Sequence, residues 1–114
     1  MEDCIFCKIA SGEIPSRKVY EDDQVLAFYD LAPQSAVHVL IIPKAHAENL
    51  LDARSLPDET LAHLMRTAAN VAEQLGVGAS GFRIVSNCGP DARQSVQHLH
   101  LHLLGGQQLA EKMV

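Results

Sequence analysis

Three histidines alternate with leucines near the end of the chain, in His98-Leu99-His100-Leu101-His102-Leu103-Leu104. Side chains of an extended strand alternate faces, so the spacing places His98, His100 and His102 on one side and Leu99, Leu101 and Leu103 on the other. Two histidines at this spacing would be unremarkable on a half-buried strand. Three, opposite an all-leucine face, are hard to explain as packing. Imidazoles in a row permit two chemistries: they ligate a metal that keeps an open position for water, or one is a nucleophile that the others orient and assist. Spacing alone does not choose. A second group is Cys4-x-x-Cys7, where i and i+3 put both sulfurs on one side of a helix.

The elements that must position these groups follow from pattern. Asp3 is a candidate cap for a short helix, Cys4 to Ala10, that Gly12 ends. Lys18–Glu21 and Gln24–Asp30 read as strands around the Glu21-Asp22-Asp23 turn. In the second, Leu26 and Phe28 share one face, and Val25, Ala27 and Tyr29 share the other. Val37 to Ile42 is a β-branched run suited to a buried strand that Pro43 stops. A short helix is expected over His46 to Asp52. Between Pro57 and Gly76, Leu61, Leu64, Met65, Ala68, Val71, Ala72 and Leu75 form one helical stripe, with Ser55-x-x-Asp58 as a capping box. Phe82–Asn87 and Ser95–Leu104 complete the strands, separated by a polar loop, Cys88 to Gln94. Short turns between strands favour an antiparallel sheet with helices packed on it, an α+β domain.

Composition narrows the function classes. The 114 residues carry a formal net charge of −5, and the nine basic residues are scattered, which argues against a nucleic-acid binder. The longest apolar run, Val39 to Pro43, is too short to cross a bilayer, and the acidic start, Met1-Glu2-Asp3, has no apolar signal core. A cytoplasmic protein without a membrane partner is the expectation. Three cysteines are an odd number for a disulfide scaffold, so Cys4 and Cys7 point to metal or redox chemistry. Cys88 receives no role.

The His98–Leu104 run resembles the signature of the histidine triad (HIT) family. Gln94-Ser95-Val96 before it and Gly105-Gly106 after it resemble the Hint branch, the purine nucleoside phosphoramidases. So do Ile5-Phe6-Cys7-Lys8-Ile9, Glu13-Ile14-Pro15, Phe28-Tyr29-Asp30-Leu31, and His38 with Pro43-Lys44-Ala45-His46. The resemblance implies one HIT domain over 1–114, with a sheet of about five antiparallel strands, one long helix and one or two short ones. It implies hydrolysis of purine nucleoside phosphoramidates, AMP-NHR to AMP plus amine, through a nucleotidyl-histidine.

Residue by residue, the resemblance makes His100 the nucleophile and His102 the donor to a phosphate oxygen. Ser95 and Asn87 lie on the phosphate side, with backbone N–H groups of Arg93 and Gln94 adding to the cradle. Asp30 receives the ribose hydroxyls, Leu31 follows it in the sugar and base pocket, and Ile5, Phe6, Ile9 and Phe28 form the base wall. His38 supports the triad from behind. Tyr29 stands where many relatives have His, and the tail 107–114 lacks the Trp that some carry. By the same resemblance Cys4, Cys7, His46 and His98 make a structural zinc site, which requires the start of the His98 strand to twist toward the first helix. A homodimer joined through the long helix, residues 57–75, and through sheet edges is implied. Three readings remain beside the main one: a metal-dependent hydrolase using the histidine strand as ligands, a purine-nucleotide-binding adaptor with little turnover, and a dinucleoside polyphosphate hydrolase. Close imidazoles depress each other's pKa, so activity is expected to fall in acid.

Overall fold

The computed structural model describes residues 3–113; Met1, Glu2 and Val114 fall outside them, and with them the ends of the expected 1–114 domain and of the 107–114 tail. The elements run α1 (Ile5–Ala10), β1 (Lys18–Glu21), β2 (Val25–Tyr29), β3 (Val37–Pro43), a 3-10 turn (Asp52–Ser55), α2 (Asp58–Gln74), β4 (Phe82–Val85) and β5 (Leu101–Gly105). The five strands form one antiparallel sheet in the order β1-β2-β3-β5-β4. This is the expected α+β architecture, and no helix among the described residues is long and apolar enough to cross a membrane.

Both faces of the sheet are covered, which explains why β2 and β3 are apolar almost throughout. On one face Val25, Ala27, Val39, Ile41, Leu101 and Leu103 pack against Leu64, Ala68, Val71 and Ala72 of α2. On the other, Leu26, Phe28, Leu40 and Ile42 pack against Phe6 and Ile9 of α1. The two-residue alternation predicted for β2 is therefore realised.

Several boundaries differ from the sequence expectations. Cys4, not Asp3, caps α1: its φ of −85° and ψ of 111° are non-helical, and its Sγ accepts from the Cys7 N–H at 3.3 Å. The helix expected over His46–Asp52 is replaced by turns. There the Asp52 carboxylate takes the Glu48 N–H at 2.8 Å and the Asn49 Oδ1 takes the Asp52 N–H at 3.0 Å. Such side-chain bonds offer the backbone an alternative to the helical ladder. The capping box does not form either. The Ser55 hydroxyl donates back to the Asp52 carbonyl at 2.7 Å, and Pro57 occupies the N-cap of α2. Along α2 the buried stripe takes Thr60 and Thr67 instead of Met65, which is 54% exposed.

The last strand is shorter than the alternation suggests. Residues 95–100 are outside the ladder, and β5 begins at Leu101, paired with Ile41. Beyond that point β3 pairs only with β2, and Leu99 instead donates its N–H to the Ala47 carbonyl at 2.6 Å. On the β4 side a side chain takes over where the ladder stops, since the Ser86 hydroxyl donates to the His100 carbonyl at 3.1 Å. The histidine segment thus enters the sheet only at its end.

Leu103 is fully buried between the sheet and α2. Leu103→Ala is expected to lower unfolding stability by about 2–5 kcal/mol, read as a shift of the denaturant midpoint. Leu31→Ala, at a side chain 95% exposed, is expected to leave that midpoint nearly unchanged.

Candidate active site and metal centre

Backbone partners fix the orientation of each triad ring. The His100 Nδ1 lies 2.7 Å from the His98 carbonyl. A carbonyl only accepts, so Nδ1 carries a proton, and in the neutral ring the lone pair is on Nε2. His100 is buried, and it borders a cavity of about 280 Å³ together with His102 and Ser95.

His102 is held differently. The register that pairs Leu40 with His102 and His38 with Leu104 sets His38 and His102 diagonally across β3 and β5. The Gln34 backbone N–H donates to His38 Nδ1 at 3.0 Å, which leaves the His38 proton on Nε2. That nitrogen lies 2.9 Å from His102 Nδ1 and 3.6 Å from an Asp30 carboxylate oxygen. With Nδ1 accepting from His38, the His102 proton resides on Nε2, the nitrogen left to donate to an anion. Burial first, then the neighbouring His100 and His38, pushes the His102 pKa down to about 4, against an upward pull from Asp30. Burial likewise lowers His38, again opposed by Asp30. Both rings are therefore neutral at pH 7.

The cavity lining combines apolar side chains, among them Ile5, Phe6, Ile9, Phe28, Leu31 and Leu40, with the polar Asp30, Ser95, His100 and His102. One Asp30 oxygen is taken by the Ala32 N–H at 2.7 Å. Ile14, Pro15, Ser16, Arg17, Tyr29 and Val96 also line the cavity. Arg17 stacks over the Tyr29 ring at 4.6 Å, and Ser16 Oγ is buried with no partner among the described residues. Ile14, Pro15 and Val96 belong to segments that carry the resemblance, and Tyr29 to a base-edge position where many relatives have His; Ser16 and Arg17 carry no such signal, since nothing local marks a connector as a pocket wall.

Asn87, Arg93 and Gln94 do not line this cavity. Gln94 is buried with its amide committed internally: Oε1 accepts from the Gly89 N–H at 3.0 Å, and Nε2 donates to the Glu48 and Val96 carbonyls at 2.7 and 2.9 Å. Arg93 has φ of 64° and helps turn the loop that presents Ser95. Gln94 so braces the loop from behind.

His98 turns away from the cavity, toward α1, as the twist predicted for a metal ligand demands. It is fully buried, and its Nε2 lies 2.8 Å from the Pro43 carbonyl, so Nδ1 presents a lone pair. Around that nitrogen converge Cys4 Sγ at 3.3 Å, Cys7 Sγ at 3.5 Å and His46 Nδ1 at 3.2 Å, with Cys7 Sγ to His46 Nδ1 at 3.3 Å. A tetrahedral zinc ion with ordinary bond lengths separates sulfur from nitrogen by about 3.6 Å and nitrogen from nitrogen by about 3.3 Å. The four ligand atoms lie within 4.8 Å of one another. Donor types, spacing and the fixed His98 tautomer all fit zinc, and four protein donors leave no open position.

Without a metal the cluster is poorly matched to its surroundings. Burial, then Cys4, pushes the Cys7 thiol up to about 11, and burial, opposed by the Pro43 bond and aided by the neighbouring His46 and His100, takes His98 down to about 4. Zinc binds the thiolate and the neutral imidazole, so it reverses the first effect and uses the second.

Comparison with known proteins places these features in context. Residues 11–109 match the HIT domain family. The chain is 42% identical over 108 residues to the purine nucleoside phosphoramidase of Escherichia coli (strain K12), covering 95% of this chain and 91% of that protein. It is 51% identical over 109 residues to a 14 kDa zinc-binding protein of Brassica juncea, covering 94% and 96%. A HIT family hydrolase from Clostridium thermocellum superposes with a TM-score of 0.95 at 44% identity, over 100% of this chain and 99% of that one.

The depressed histidines make stability pH-dependent. For a His whose folded pKa lies below the unfolded value of about 6.5, the unfolded chain binds more protons in between. The contribution of His102 is complete above about pH 6.5 and lost as pH falls toward 4. The thermal midpoint is expected to fall steadily between those pH values. A midpoint that holds or rises there contradicts the assigned neutral rings.

Proposed function

We propose, on the premise that the chain belongs to the HIT domain family, that it hydrolyses purine nucleoside phosphoramidates, AMP-NHR plus water to AMP plus amine. The Hint-type sequence and the hydrolases among its relatives support an enzyme of the hydrolase class. The observation that carries the finer reading is the His100 ring. Its Nδ1–H is held at 2.7 Å by the His98 carbonyl, and its other nitrogen belongs to a ring bordering the cavity.

In this reading the purine sits against Ile5, Phe6, Ile9 and Phe28, the ribose hydroxyls reach Asp30 with Leu31 beside them, and the α-phosphate lies between His100, His102 and Ser95. His100 Nε2 attacks phosphorus, the P–N bond breaks, and the amine departs with a proton taken from solvent, leaving the nucleotidyl ring positively charged. Water then attacks phosphorus, the bond to the ring breaks, the neutral ring is restored, and the proton from water returns to solvent. Splitting one displacement into two is the gain from a covalent intermediate. The His102 Nε2–H and the Ser95 hydroxyl donate to oxygens where charge builds, an effect strengthened by exclusion of water. Asn87 lies outside the cavity lining, and the expected backbone donors Arg93 and Gln94 spend their N–H groups on the Pro90 and Gly89 carbonyls at 3.0 and 3.1 Å, so the phosphate side rests on Ser95, His100 and His102.

The metal-dependent alternative finds less support. His98 and His100 each commit a ring nitrogen to a backbone carbonyl, and the remaining nitrogen of His98 faces the cysteines. Zinc at Cys4, Cys7, His46 and His98 is proposed as structural. The homodimer is also proposed, with support from exposed Met65 on α2 and from β4 at the sheet edge. The whole of 1–114 is taken as one HIT domain.

Rapid-quench mass spectrometry with an adenosine phosphoramidate tests the reaction class. An AMP adduct on the peptide bearing His100 is expected; steady turnover with an adduct elsewhere contradicts the assignment. His100→Ala is expected to reduce kcat by about a thousandfold or more. His102→Ala should cost about a hundredfold. An adaptor would instead bind AMP tightly with wild-type turnover no faster than that of His100→Ala.

A further inference from the structure

We propose that Cys4, Cys7 and Phe6 are positioning residues for the base: metal held by the Cys4, Cys7, His46 and His98 donors docks α1, and only docked α1 completes the apolar wall of the cavity. The inference rests on the nucleotide reading of that cavity and goes further, since it makes recognition of the base, but not of the phosphate, dependent on metal.

The connectivity of the two sites carries the argument. α1 is six residues long, too short to hold itself as a helix. Its N-cap is Cys4 and its third residue is Cys7, so two of the four donors belong to this helix. Ile5, Phe6 and Ile9 are its contribution to the cavity wall. Phe6 stands between the cysteines in the chain. Its ring meets Phe28, His98 and His100 edge-on, with centroid separations of 5.6, 6.0 and 5.1 Å. One aromatic ring therefore touches the base wall, a metal donor and the nucleophile.

The phosphate end has supports outside α1. His102 lies on β5 in the β3–β5 ladder and is oriented by His38. Ser95 is presented by a loop that Gln94 ties to Glu48 and Val96. None of these residues is on α1. Undocking α1 removes apolar wall and leaves most phosphate donors in place.

The test compares AMP with ribose 5-phosphate, which lacks the base, by calorimetry on zinc-loaded, chelator-stripped and zinc-restored protein. If α1 is docked in about one stripped molecule in ten, the Kd for AMP rises about tenfold. The Kd for ribose 5-phosphate stays within about twofold, and zinc restores the AMP value. The Cys4→Ser/Cys7→Ser variant is expected to match stripped protein. Phe6→Ala is expected to keep stoichiometric zinc and lose AMP affinity selectively. An unchanged AMP Kd after stripping overturns the proposal, as does equal loss of both ligands, which marks a metal that holds the whole fold. Protein that takes up no stoichiometric zinc overturns it too. If the double variant fails to fold, the stripped wild type decides. Zinc-loaded protein that binds neither ligand brings down the nucleotide reading and this inference together; AMP binding insensitive to metal brings down this inference alone.

Discussion

The site depends on how one residue, His98, divides its polar groups. Its ring is turned toward α1, with Nε2 on the Pro43 carbonyl and Nδ1 among the sulfurs of Cys4 and Cys7. Its main-chain carbonyl takes the Nδ1–H of His100. A histidine in a regular strand would spend that carbonyl on a ladder partner. Here the chain leaves the ladder before Leu101, so the carbonyl is free to choose the tautomer of the next histidine, His100. Removing a segment from the sheet is thus what fixes the tautomer of its central imidazole, the ring proposed as nucleophile.

The same logic runs through the second pair of rings. His38 and His102 need opposite hydrogen-bonding roles at their contact, and a single backbone N–H, that of Gln34, decides which ring donates. Both rings stay neutral because they are withdrawn from water among other imidazoles. Protons are fixed by backbone groups of ordered segments rather than by exposed charges. Such an arrangement needs little reorganisation when an anion arrives, which is where electrostatic preorganisation has its value.

Much of this was legible in the residues. The β-branched run Val37–Ile42 marked a buried strand, and the division of Leu26 and Phe28 from Val25, Ala27 and Tyr29 marked the two faces of β2, because a sheet covered on both sides selects apolar residues at nearly every position. The alternating histidines and leucines gave the segregation of the triad from the core, with Leu99, Leu101 and Leu103 packed toward α2. The end of the ladder was not legible. A strand over Ser95–His100 is the expectation, but pairing with β3 ends at Ile41 and Leu101, while Ile42 and Pro43 go on pairing with β2 alone. Nor does periodicity reveal that Asp52 and Asn49 would compete for backbone N–H groups and break the expected helix. The pocket contributions of Ser16 and Arg17 come from a connector brought back against Tyr29, a contact distant from any motif.

The central claim is that the His100 proton resides on Nδ1 and its Nε2 is an unprotonated, unligated nitrogen. Long-range nitrogen–proton correlation NMR on histidine-labelled, zinc-loaded protein at neutral pH reads this directly, with His100→Gln to assign the ring. The account predicts a neutral ring with the proton on Nδ1 and with a free, unshifted-by-metal Nε2. A proton on Nε2, or a metal-bound Nε2, contradicts it.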